Sequence, residues 1–143
     1  MTVALLGAIH QQWAASPGLA GLLPATRLST GASPNPALPR AVLTRQSEQP
    51  LAACNDGSAV TSVGVRLEVF HLNYDAAATI VDQVTKVFDR ADFPLDDGPP
   101  AGARVICMRR TNHSEGQEAD GTWRMTVDFA CAVYRPAGDP QTP

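Results

Sequence analysis

The sequence has no surplus of positive charge. Eleven lysines and arginines stand against fourteen aspartates and glutamates, for a net charge of -3. Tight DNA binding needs a basic stripe that releases phosphate counterions, and no such stripe is present. A protein that lets nucleic acid pass without holding it is still allowed. Cysteine is scarce as well: Cys54, Cys107 and Cys131 are odd in number and fall at no motif spacing. That argues against a disulfide framework and for a reducing compartment. No apolar run is long enough to span a bilayer. The apolar start, Met1 to Ile9, lacks a basic n-region and is interrupted by His10, Gln11, Gln12 and Trp13. It reads as a surface-docking helix and not as a signal peptide. There is no G-x-S-x-G, no P-loop and no G-x-G-x-x-G.

What is present is a globular balance. Hydrophobic residues make up 44% and charged residues 17% of 143 positions, which suits one domain with its own core. Twelve prolines and eleven glycines predict long loops between elements.

Leu6, Ile9 and Trp13 fall at helical spacing and predict a helix over Thr2–Ala15, ended by Ser16-Pro17-Gly18. A short helical turn is expected through Leu19, Leu22 and Leu23, and a short strand over 27–30. Residues 31–39 carry Pro34, Pro36 and Pro39 and read as a loop or extended arm. Residues 40–46 look like a strand, and 47–59, with Pro50 and Asn55-Asp56-Gly57, like a polar, turn-rich loop.

Three signals are stronger. Val63, Val65, Leu67 and Val69 alternate with Ser62, Gly64, Arg66 and Glu68, which predicts a half-buried strand over 60–72. Ala77, Ile80, Val81, Val84, Val87, Phe88 and Ala91 form one apolar stripe, which predicts an amphipathic helix over 75–90 with Asn73 or Asp75 as its cap. Phe93-Pro94 and Asp97-Gly98-Pro99-Pro100 should stop it. A hairpin is predicted from 103–110 and 122–135 across a polar connector, 111–121. Trp123, Met125, Val127, Phe129, Cys131 and Val133 share one face. Pairing Met108 with Met125 and Ile106 with Val127 would add both to it, and would put Cys107 on the face opposite Cys131. Arg66, Glu68, Arg124, Thr126 and Asp128 fall on the outer face. The expected fold is α+β, an antiparallel sheet with helices on one face, in the order α-β-β-β-α-β-β. One domain spans 1–135, and 136–143 is a disordered tail.

Chemistry-bearing residues do not converge. His10, His71 and His113 fall on three different elements, so a zinc site with Cys54 or Cys107 would have no local ligand pair. Three unrelated histidines is the plainer reading. Asp89, Asp92, Asp96 and Asp97 lack EF-hand spacing and read as a solvated acidic turn. Cys131 is expected in the core and inert, and Cys54 has no histidine beside it. Arg109 and Arg110, with Trp123 and Arg124 across from them, read as a solvated strand end, Arg110 stacking on Trp123, in preference to an anion site. The expectation is no catalytic, cofactor or metal site, and no enzyme.

The order of these signals resembles the small tail-completion proteins of tailed phages, the group that includes tail terminators. The likeness rests on the helix Thr2–Ala15, the apolar turn ending Leu22-Leu23-Pro24 and a strand preceded by a proline, as in Leu38-Pro39-Arg40-Ala41-Val42-Leu43. It continues with a long strand, 63–70, running into the helix 74–90, and a hairpin, 104–110 with 123–134, across an acidic turn. It covers nearly the whole chain. It implies a ring, commonly a hexamer, that caps the tail tube and meets the head connector. No cofactor is implied, and DNA passes through without specific binding. The place implied is the tail or neck of the virion, assembled in the host cytoplasm, with no membrane. Two other readings stand beside it. One is another neck or stopper ring. The other is a small ligand-binding domain or enzyme with a pocket between helix and sheet, which the nearly unbroken apolar stripe disfavours.

The stripe is directly testable. Val84→Asp buries an unpaired charge beneath the helix and is expected to cost several kcal/mol. A variant that melts like the parent would show that this face is not buried.

Overall fold

The computed structural model describes residues 2–31, 37–95 and 102–137. Helix α1 (Thr2–Ala15) buries Leu5, Leu6, Ile9 and Trp13, the three-to-four spacing of one helical face. Ser16 caps the next helix, α2 (Pro17–Leu22), by accepting a hydrogen bond from the Leu19 N–H. Pro17 sits in the first turn, where its missing N–H costs nothing. Leu19 and Leu23 are buried, whereas Leu22 faces out. The Trp13 indole N–H donates to the Leu23 carbonyl at 2.7 Å, so the one polar atom of this buried ring is satisfied.

A short 3-10 turn leads into six strands: β1 (Leu28–Thr30), β2 (Arg40–Ala53), β3 (Ala59–His71), β4 (Ala91–Pro94), β5 (Arg104–Gln117) and β6 (Trp123–Arg135). Helix α3 (Tyr74–Phe88) lies between β3 and β4. The sheet order is β1-β2-β3-β6-β5-β4. The α+β class holds, with two corrections. The sheet is mixed, because β1 runs parallel to β2. The order also gains α2, the helical turn expected at Leu19 and Leu22, and β4, which has too few residues to show a period.

Asn73 caps α3, its side chain accepting from the Ala76 N–H at 2.8 Å. The stripe Ala77, Ile80, Val81, Val84 and Phe88 is buried. It joins Val63, Val65, Leu67 and Val69 of β3 and Met125, Val127, Phe129, Cys131 and Val133 of β6 in one apolar cluster, together with the buried residues of α1. Full burial of a side chain of this kind contributes on the order of 1.5–3 kcal/mol. Phe88 ends the helix. Ala91, expected on its stripe, and Phe93-Pro94, expected as its stop, belong to β4.

Both hairpins are longer than expected. Residues 47–53 continue β2, and 111–117 continue β5. Polar sequence concealed them, because the added lengths are exposed and need no apolar alternation. Pro50 is tolerated where the β2–β3 register shifts between Pro50 and Ala52. The shorter connector also moves the β5–β6 register. Met108 opposes Cys131, and Met125 opposes Glu115. A bulge between Val105 and Cys107 turns Ile106 outward, 45% exposed, and Val105 takes the inward place. Cys107 and Cys131 do lie on opposite faces, one exposed and one buried. Residues 32–36 of the proline-rich arm and 138–143 of the tail lie outside the described residues.

The two hairpins close with one device. Cys54-Asn55-Asp56-Gly57-Ser58 and Glu118-Ala119-Asp120-Gly121-Thr122 each bring an aspartate carboxylate onto the N–H two residues on, at 2.9 and 3.0 Å. Each then turns through a glycine at φ +91° or +92°. A Cβ on Gly121 would meet no atom within 4 Å. Gly121→Ala is therefore expected to cost about 1 kcal/mol through left-handed backbone strain alone, measured by urea denaturation. An unchanged midpoint would contradict that account.

Candidate assembly surface

The residues weighed for chemistry are scattered. The His10 Nε2 lies 2.6 Å from the Leu28 carbonyl. His71 Nδ1 accepts from the Asn73 N–H at 3.0 Å, and burial pulls its pKa below the ordinary value. His113 Nε2 lies 3.6 Å from a Glu115 oxygen. Asp89 accepts from the Arg110 N–H at 3.0 Å, and Asp92 stands 3.7 Å from Arg104. Asp96 and Asp97 lie outside the described residues. Among the described residues, no three His, Cys, Asp or Glu gather as a metal site would require. Burial pushes the Cys131 thiol up to about 12, while Cys54 and Cys107 are exposed. The expected stacking of Arg110 on Trp123 is not found. The moved register sets Arg110 opposite Phe129, and Trp123 meets Tyr74 edge-on at 5.0 Å.

The outer sheet face is a more organised surface. Arg66 and Asp128 oppose each other across β3 and β6 and pair through two hydrogen bonds, at 2.9 and 3.3 Å. These bonds hold the Asp128 carboxyl below its ordinary value and raise that of Arg66. Arg124 reaches Glu118 at 3.2 Å and Glu68 at 4.0 Å. This face therefore neutralises much of its own charge.

Beyond those pairs the floor turns small. Ser62, Gly64, Ala130 and Ala132 line two adjoining hollows of about 270 and 200 Å³. Their sides come from Ser47 and Leu51 of β2 and from Cys107 and Arg109 of β5. A Cβ at Gly64 would fall 2.6 Å from the Ser47 hydroxyl, so the Ser47 side chain would have to turn to admit one. Leu51 is 59% exposed.

The sheet also leaves backbone open on both sides. β1 pairs only with 41–43 of β2, and β4 only with Arg104, Val105 and Met108 of β5. From Thr44 to Ala53, and from Arg109 to Gln117, each strand has a neighbour on one side only among the described residues. Such edges bind by strand addition. Sequence reasoning missed both segments. The shared Asp-Gly-Ser/Thr turn was the available signal, since such a turn asks for strands on both sides of it.

The chain matches the family described as "Tail completion protein gp17" over residues 7–134. No curated protein sequence matches it. Among solved structures, a chain described as "Virion of native gene transfer agent (GTA) particle" is similar, with a TM-score of 0.67 and 18% identity. The match covers 89% of this chain and 92% of that one. The likeness shows a shared fold.

The Arg66–Asp128 pair predicts a pH dependence. A carboxylate with a lowered folded pKa stabilises above its unfolded value, and that contribution is lost as pH falls through the folded value. Asp128→Asn should cost up to about 1 kcal/mol at neutral pH, the upper range for a half-exposed pair. The deficit should shrink as pH drops below the ordinary aspartate value of 3.8 and through the lower folded value, where the parent takes up its proton. Urea melts over a pH series read this out, and a deficit that grows toward acid would reverse the sign.

Proposed function

The chain belongs to the tail completion protein gp17 family, and from that premise we propose that it is a virion structural protein of a phage tail. One domain, 1–135, assembles into a ring, a hexamer, that caps the tail tube and joins it to the head connector. The ring sits at the tail or neck and is assembled in the host cytoplasm. The protein does no catalysis and takes no cofactor.

The observation that carries this reading is the pair of free half-strands on opposite sides of the sheet. A cyclic ring needs two different, complementary surfaces on each copy. Two open edges on opposite sides supply such surfaces. The self-paired charge of the outer face and the net charge of -3 suit a channel that passes DNA without retaining it. The likeness to a chain described as part of a gene transfer agent virion supports placement in a particle.

Mass photometry and negative-stain imaging test the ring. Concentration-dependent closed rings are expected, with the tail-tube protein shifting the balance toward them. A protein that stays monomeric with that partner present would overturn the proposal.

A further inference from the structure

The two free half-strands differ in where they lie along the sheet. Strand pairing sets Thr44 level with Arg66, Asp128 and Asn112 on the four long strands. The free part of β2 rises from that level toward the turn at 54–58, and the free part of β5 descends from near it toward the turn at 118–121. β1 covers the opposite end of β2, and β4 the opposite end of β5. Each edge is therefore closed over one half and open over the other, in a complementary sense.

We infer that copies join by antiparallel strand addition, the free half of β2 in one copy pairing with the free half of β5 in the next. The inference rests on the ring reading and names the partner of these edges as a second copy of this chain. Direction agrees with it. β2, β3, β6 and β5 alternate in direction, so β2 and β5 run oppositely within one copy. Rotation about a ring axis keeps each strand's sense along that axis, so β5 of one copy meets β2 of the next antiparallel.

The ends also agree. The Arg110 N–H is already taken by the Asp89 carboxylate, which closes the upper end of the β5 run. Pro50, which has no N–H to give, and the irregularity after it close the upper end of the β2 run. Between these stops, the residues whose backbone faces the open edge on each strand meet when Pro50 comes opposite His113, Gln49 opposite Ser114 and Arg45 opposite Gln117. The next copy's β1 then lies beyond the 118–121 turn, and β4 beyond the neighbour's 54–58 turn. Glu48 then comes opposite Glu115, and each has a countercharge in its own copy, Arg45 at 3.8 Å from Glu48 and His113 at 3.6 Å from Glu115. All four charged or titratable side chains are exposed or half-exposed.

The register has a geometric consequence. Relative to the level within one copy, it is shifted by about six residues, or roughly 20 Å along the strand. Three strand spacings plus the new one span roughly 19 Å across the sheet. The strands must therefore tilt by about 45° against the ring axis, close to the tilt of closed barrels.

Paired cysteines test the register. Gln49→Cys with Ser114→Cys, in a Cys54→Ser and Cys107→Ser background that keeps the buried Cys131, is oxidised and run on a non-reducing gel. The expected result is a ladder that ends at the ring number, with neither single variant forming one. The control pair Gln49→Cys with Gln117→Cys, three residues farther along and on the opposite face, should cross-link far less. All three positions are exposed, and thermal melts establish that each variant folds. Closed rings without a ladder, or an equal ladder from the control, would overturn the inference and leave the ring reading standing. Monomers alone would overturn both.

Discussion

Phe88 joins the parts of this fold that would otherwise be separate. Its ring meets Trp13 of α1 at 6.5 Å between centroids and, on the other side, Phe129 of β6 at 6.4 Å, edge-on. Trp13 is in turn held to the end of α2 by its indole hydrogen bond to Leu23. One line of aromatic contacts thus runs from the N-terminal helices through α3 to the central strands. All three rings are at most 2% exposed. Contacts between aromatic rings add about 0.5–1.5 kcal/mol beyond the area they bury. Their geometry also fixes where α3 ends. The chain leaves Phe88 and turns through Arg90 at φ +67° into β4, whose position on β5 follows from that exit.

The elements under this aromatic line were legible because burial on one face leaves a period. β3 and β6 show strict alternation, α3 shows a stripe, and α1 shows Leu6, Ile9 and Trp13 on one side. The order of these elements was enough to bring out the resemblance to tail-completion proteins, the family the chain belongs to. Where nothing apolar is buried, the sequence carries no such mark. Residues 47–53 and 111–117 are strands because β3 and β6 offer them a hydrogen-bonding edge, not because their side chains demand it. The bulge at Ile106 is equally silent in sequence, and it displaced the expected register. The candidate surface is built from these same polar segments. The part of the molecule with the clearest functional interest was therefore the part least marked in the sequence.

The division is physically consistent. A buried core needs apolar periodicity, whereas an edge that must remain soluble before assembly cannot display it. Short covering strands, a proline and a carboxylate cap limit each free edge to part of its length. The outer face pairs its arginines with its own acids. The chain thus carries a modest net charge and, among the described residues, no long bare apolar edge, and its free half-strands offer mainly backbone groups.

The twin Asp-Gly turns bear on the order in which the chain folds. Each closes a hairpin between neighbouring strands, so β2–β3 and β5–β6 are local structures that form with little loop entropy to overcome. The seam that unites them, β3 against β6, joins residues as distant as Arg66 and Asp128, sixty-two positions apart. α3 and β4 lie between the two hairpins in the chain. Sequence separation therefore makes the central seam, and not either arm, the contact with the larger loop entropy to overcome. The arms can be shaped before the body that carries them is complete.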